Sequence, residues 1–164
     1  MPREVVAQAS RPASAGLPRA ASEPAHVRLH ATCVQLGGVG VVLLGASGVG
    51  KSDLALRLID AGALLVADDQ LEVEAGPAGL LGRPAERLAG LLEVRGLGIL
   101  RLPYCGVSPL GLVVELDATT PAPRLPEPST YPILGTELRR LRLDPRQASA
   151  PAKVRLALCA EQVV

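Results

Sequence analysis

Apolar residues first fall into a regular pattern at Val27. VRLHATCVQL, the pair Gly37-Gly38 and VGVVLLG read as two strands joined by a tight glycine turn. VVLL is a continuous apolar run, as expected of a strand covered on both faces. From Lys51 to Ala61 the spacing becomes helical: Leu54, Ala55, Leu58 and Ile59 share one face, and Gly62 supplies a left-handed end. ALLVA is another buried strand, ending at Asp68-Asp69, and LEVE is a shorter one with alternating exposure. Pro84 to Ala89 predicts a short helix with Pro near its start and Gly90 after its end. LLEV, ILRL and GLVVEL are further strands, whereas TTPAPRLPEPSTYP is Pro-rich and predicts loop. Ser149 followed by Pro151 starts a final helix over PAKVRLALCAEQVV. A strand–loop–helix–strand order around a buried sheet predicts an α/β fold with a mixed sheet.

Residues 1–25 are rich in Pro, Ala, Ser and Arg and show no apolar periodicity, which predicts a disordered tail ahead of one domain over 26–164. Their Arg and Ser content faintly resembles an organelle transit peptide, but Glu4, Glu23 and the lack of an amphipathic stripe favour a plain tail.

Composition narrows the function classes. Aromatic residues are 1% of the chain, so the core is built from Leu, Val, Ile and Ala, and platforms for base stacking are missing. The net charge is +1 with no run of Lys or Arg, so nothing steers the protein to nucleic acid or to an anionic membrane. No apolar run reaches the ~18 residues of a membrane span. Cys33, Cys105 and Cys159 are odd in number and form neither a CxxC pair nor a Cys/His metal pattern. A reducing cytoplasm and buried thiols are the expectation.

The chemistry begins at Gly45-Ala46-Ser47-Gly48-Val49-Gly50-Lys51-Ser52, a GxxxxGK[ST] stretch between a buried strand and an amphipathic helix. Its glycines let backbone N–H groups approach phosphate oxygens, and the following helix aims its positive end at the same place. Lys51 bridges outer phosphates and the Ser52 hydroxyl ligates Mg²⁺ in this reading. The loop alone does not choose between water, a metabolite and another protein as phosphate acceptor.

A phosphate loop also needs a carboxylate to organise the metal and the nucleophile. Asp68-Asp69 end a strand expected beside the loop's own strand, where ligands of such sheets gather. Adjacent strand residues point to opposite faces, so one aspartate is expected to face the transferred phosphate and the other to reach the metal shell or support the loop. Glu115 and Asp117 at the end of GLVVELD are the competing pair, read as a strand ending at the surface. Glu93 and Arg95 share one strand face before a Gly-Leu-Gly bend. They read either as an ion pair or as a metal ligand beside an anion clamp.

GASGVGKS, LVADD and LLEVRGLGI in this order and spacing resemble the catalytic domain of HPr kinase/phosphorylase, over about residues 26–160, in the short form without an amino-terminal domain. The resemblance implies a mixed α/β core related to phosphoenolpyruvate carboxykinase, and ATP- and Mg²⁺-dependent phosphorylation of a serine on HPr. HPr is a small phosphocarrier of the sugar phosphotransferase system. Many relatives also remove that phosphate with inorganic phosphate, releasing pyrophosphate. By position, the resemblance gives the phosphate loop to Gly45–Ser52 and catalytic roles to Lys51, His30 and Arg124. It makes Asp69 the base for the serine proton, Glu93 a metal ligand with Ser52, and residues 92–101 the family signature; the strand-end reading adds Asp68 to the metal ligands. Ala46 departs from the aspartate common at that loop position. DPRQASAPAK replaces a basic Pro/Gly/Arg segment tied to the phosphorylase reaction, which is therefore expected to be weak or missing. The two C-terminal helices of longer members are reduced to one, and assembly into a homo-oligomer stays open. An ATP- or phosphate-sensing module with little catalysis and a small-molecule kinase are the rival readings. NKxD and DxxG motifs of a GTPase are absent.

Overall fold

A computed structural model describes residues 25–163. The tail expected over 1–25 therefore lies almost wholly outside the described residues. In chain order the elements are β1 (His26–His30), β2 (Thr32–Leu36), β3 (Val39–Leu44), α1 (Lys51–Asp60), β4 (Leu64–Ala67), β5 (Gln70–Gly76), β6 (Gly79–Pro84), β7 (Leu91–Val94), β8 (Gly98–Arg101), β9 (Ser108–Leu116), β10 (Ser129–Ile133), β11 (Thr136–Leu143) and α2 (Ala150–Cys159). A single 3-10 turn, Glu86–Leu88, stands where a short helix is predicted, with Gly90 at φ 75 after it.

Nine strands form one mixed sheet, and β7–β8 form a separate hairpin. β9 is its axis: it runs parallel to β3 on one side and β11 on the other, while its first residues pair antiparallel with β6. The sheet thus divides into a main layer, β4-β2-β3-β9-β11-β10, and a wing, β6-β5-β1. β9 crosses between them at a bulge, where Gly40 and Val41 face Leu110 and Leu112 and leave Gly111 over. A Cβ on Gly111 would sit 2.5 Å from Val39 Cγ1, so only glycine lets the strand bend there.

Period-2 alternation divides the core into two layers. Val34, Val41, Leu43, Leu112 and Val114 face α1 and α2, where Leu54, Ala55, Leu58, Ala150 and Val154 meet them. Cys33, Val42 and Val113 face the other way, against Leu71, Val73 and Leu80 of the wing. This is why VVLL carries no polar residue. A smaller cluster, Leu65, Leu92 and Val94, clips the β7–β8 hairpin onto β4 and α1.

Four expectations are corrected. VRLHATCVQL is two strands: the chain breaks at Ala31, whose N–H bonds to Asp69 O, and passes from the wing to the main layer. Ser129–Pro132, assigned to loop, lies in β10. That strand pairs with β11 alone, and an edge strand tolerates Pro132. The last helix ends at Cys159 rather than Val164. Of the cysteines only Cys33 is fully buried, which pushes its thiol far above the ordinary range; Cys105 is half-buried and Cys159 exposed.

Candidate functional site

The phosphate loop leaves β3 and enters α1 with a run of unpaired donors. Among the described residues, the backbone N–H groups of Gly48 and Gly50–Asp53 have no protein acceptor, and Gly50 caps the helix without a side-chain bond. Gly50 adopts φ 114, a conformation that glycine takes readily and a residue with a side chain does not. Lys51 is buried, and its Nζ donates to Gly45 O at 2.9 Å and Ala46 O at 3.1 Å. An ammonium has three donors, so one remains to face an anion held in the loop. Ser47, Gly48, Gly50, Lys51 and Ser52 line a cleft of about 760 Å³; Gly45, Ala46 and Val49 do not line it.

The cleft's far wall comes from β1, the β4–β5 turn and β7. Asp68 is buried. Its Oδ1 accepts the Ser52 hydroxyl at 2.8 Å and the Thr32 hydroxyl at 2.9 Å, and its Oδ2 accepts the Glu93 N–H at 3.2 Å. Asp69 has φ 67, an uncommon left-handed conformation for a residue with a side chain. The chain has already left the strand, so the strict alternation expected of Asp68 and Asp69 does not hold, and both line the cleft. Asp69 Oδ1 lies 3.0 Å from His30 Nδ1, and both side chains are more than half exposed. Glu93 and Arg95 also line the cleft, and among the described residues neither forms an ion pair.

The structure thus gathers His30, Lys51, Ser52, Asp68, Asp69 and Glu93 in one place. Arg124 is apart from them: it is exposed on the 117–128 loop beyond β9 and does not line the cleft. The competing pair is otherwise engaged. Glu115 binds Arg142 at 2.9 Å and Arg140 at 3.6 Å. Asp117 accepts the hydroxyl and N–H of Thr119 and the N–H of Thr120, which hold its carboxyl well below the ordinary range. Thr32 and Asp53, which the sequence does not single out, also line the cleft. The signal for Thr32 is its place in the same strand row as Val34.

The model of the HPr Serine kinase C-terminal domain family matches residues 23–105, just over half of the chain and every residue of the cleft. The chain belongs to that family. It is 43% identical over 97 residues to HPr kinase/phosphorylase of Clostridium tetani, a match covering 55% of this chain and 32% of the relative. With the HPr kinase/phosphorylase of Streptococcus thermophilus it shares 49% identity over 73 residues, 44% of this chain and 24% of the relative. It spans about a quarter to a third of the length of these relatives. The Hpr(Ser) kinase/phosphatase of Coxiella burnetii has the same fold, with a TM-score of 0.71 at 23% identity over 80% of this chain and 88% of that one.

The donor set suits a hard divalent cation accompanying a polyphosphate. Asp53, Asp68, Asp69 and Glu93 face the cleft against Lys51 and Arg95, so a polyphosphate entering alone meets an excess of carboxylates. Among the described residues no group of three or more His, Cys, Asp or Glu closes into a metal cage. A Mg²⁺ site does not require one, since Mg²⁺ is usually held by one or two protein oxygens, water and the substrate's phosphates.

Proposed function

We propose that this HPr serine kinase family chain is an ATP- and Mg²⁺-dependent protein kinase that phosphorylates a serine on an HPr-type phosphocarrier. The observation that carries the reading is the joining, in one open cleft, of an orphan-donor phosphate loop to the His30–Asp69 pair. The loop's N–H groups and Lys51 hold the phosphates, where fixed donors stabilise charge that develops during transfer. Ser52, Asp68 and Glu93 are the oxygens that hold Mg²⁺, which when bound offsets the polyphosphate's charge. Asp69 takes the proton of the attacking hydroxyl, and His30 fixes its carboxylate through Oδ1.

The acceptor follows from access. His30 and Asp69 are exposed at the cleft mouth, which suits a hydroxyl carried in on a protein surface better than a small metabolite needing enclosure. The reverse, pyrophosphate-releasing reaction is weak in this reading. Arg146, the arginine of the segment replacing the basic Pro/Gly/Arg loop, is committed to Asp144 and to Ala118 O. Incubation with γ-labelled ATP and Mg²⁺, alone and with HPr, tests the proposal. Label on an HPr serine supports it. Free phosphate at the same rate with and without HPr, or no turnover at all, refutes it and leaves the nucleotide-sensing module.

A further inference from the structure

We propose that Thr32 is a positioning residue for cation and nucleotide binding: its hydroxyl holds the Asp68 carboxylate so that Ser52 presents its lone pairs, and Asp68 its Oδ2, to the cleft. This rests on the kinase reading above. The first observation is where Thr32 stands. Thr32, Val34 and Leu36 form one row of β2, and Val34 and Leu36 pack in the helix-side core. An apolar residue would continue that row. Thr32 instead puts a hydroxyl there at 1% exposure, where a hydroxyl without a partner is costly.

The second observation is what the hydroxyl does. It donates to Asp68 Oδ1 at 2.9 Å, the same oxygen that accepts Ser52 Oγ at 2.8 Å. A carboxylate oxygen has two lone-pair sites, so these two hydroxyls fill Oδ1. Oδ2 accepts the Glu93 N–H at 3.2 Å and keeps one site. Three donors from β2, α1 and β7 therefore fix the carboxylate plane. Ser52 spends its single proton on Asp68, which leaves its lone pairs for a cation. Without Thr32, half of Oδ1 is open, the carboxylate can rotate, and Ser52 loses its unique orientation. Such outer partners set the affinity of the groups they orient.

Thr32→Val keeps the volume and removes the hydroxyl; Thr32→Ser keeps the hydroxyl and removes a methyl. Calorimetric titration of the full chain with Mg²⁺ at fixed AMP-PNP reads binding without turnover, and melting without either ligand reads the fold. We expect Thr32→Val to melt within a few degrees of wild type. Its apparent Mg²⁺ affinity should fall about tenfold or more, while AMP-PNP binding in EDTA is unchanged, and Thr32→Ser should recover most of the loss. Wild-type Mg²⁺ dependence in Thr32→Val overturns the inference. So does an equal loss in Thr32→Ser with an intact fold, which would assign the effect to methyl packing. Thr32→Ala is read the same way if Thr32→Val does not fold. A wild-type protein that binds no Mg²⁺–AMP-PNP removes the kinase reading itself, and this inference with it.

Discussion

On the β4 side of the phosphate loop, His30, Thr32, Asp68, Asp69 and Glu93 line a common cleft; on the β9–β11 side, Asp117 and Asp144 serve their own turns, and Arg146 binds Asp144 and Ala118 O. Both sides lie at strand ends where ligands of such sheets gather, and both carry carboxylates. The difference is how far the local backbone uses them. Asp117 Oδ1 takes three donors from the residues two and three positions on. Asp144 is held below the ordinary carboxyl range by the Arg146 side chain and N–H, and the same pair raises Arg146. Asp69, by contrast, has one side-chain partner, His30, and stays open. A carboxylate at a strand end is a candidate for chemistry when it opens onto a shared cleft, as Asp69 does, rather than serving only its own turn.

The largest expected effect is at the loop that divides the two sides. Lys51→Ala removes the cation over the phosphates but leaves the backbone donors, so nucleotide still binds weakly while transfer falls ~10²-fold or more. Transfer at the wild-type rate would assign the phosphates elsewhere. The next effect separates the sides directly. Asp68→Asn puts an amide where Oδ1 takes two hydroxyls and Oδ2 an N–H, and should weaken Mg²⁺–nucleotide binding by about tenfold or more. Asp117→Asn, on the other side, should change it by less than about threefold, as for a carboxylate serving only its own turn. Equal losses in the two variants, measured by calorimetry, would erase the distinction.

The smallest effect is at the exposed Asp144–Arg146 pair. Asp144→Asn should leave the forward reaction within about threefold of wild type, as for other solvated ion pairs. Pyrophosphate assays on serine-phosphorylated HPr with millimolar phosphate should show wild-type phosphorolysis slower than the forward reaction. Phosphorolysis as fast as phosphorylation would mean that Arg146 or Arg95 serves the incoming phosphate despite the ion pair.

Much of the first side is legible in the sequence. The change from period 2 to period 3.6 around GASGVGKS marks strand, loop and helix, and ALLVA places Asp68 and Asp69 at a strand end. What the sequence hides is what tertiary contact decides. Asp69 reaches the cleft because its φ of 67 takes it out of the strand alternation. Thr32 gains meaning only once β2 lies between β3 and β4, which brings it to Asp68. On the second side, β11 is masked by the arginines of TELRRLRL. Arg140 and Arg142 are accommodated by Glu115, while Leu138 and Leu143 supply its buried contacts. β6 is masked by its glycines: a Cβ on Gly82 would meet Leu110 Cδ2 at 2.8 Å, so the strand is fitted by the lack of a side chain. Arg124 is matched by resemblance alone across a Pro-rich loop, and it stays exposed on that loop, outside the cleft lining.

In the proposed mechanism the open carboxylate, Asp69, receives the proton of a protein serine while the fixed one, Asp68, organises binding. Single-turnover transfer from γ-labelled ATP to HPr, with nucleotide saturating, compares wild type with Asp69→Asn. Nucleotide affinity is expected to stay close to wild type and labelling of HPr to slow by ~10²-fold or more, as for loss of a general base. Labelling by Asp69→Asn at the wild-type rate would contradict the mechanism.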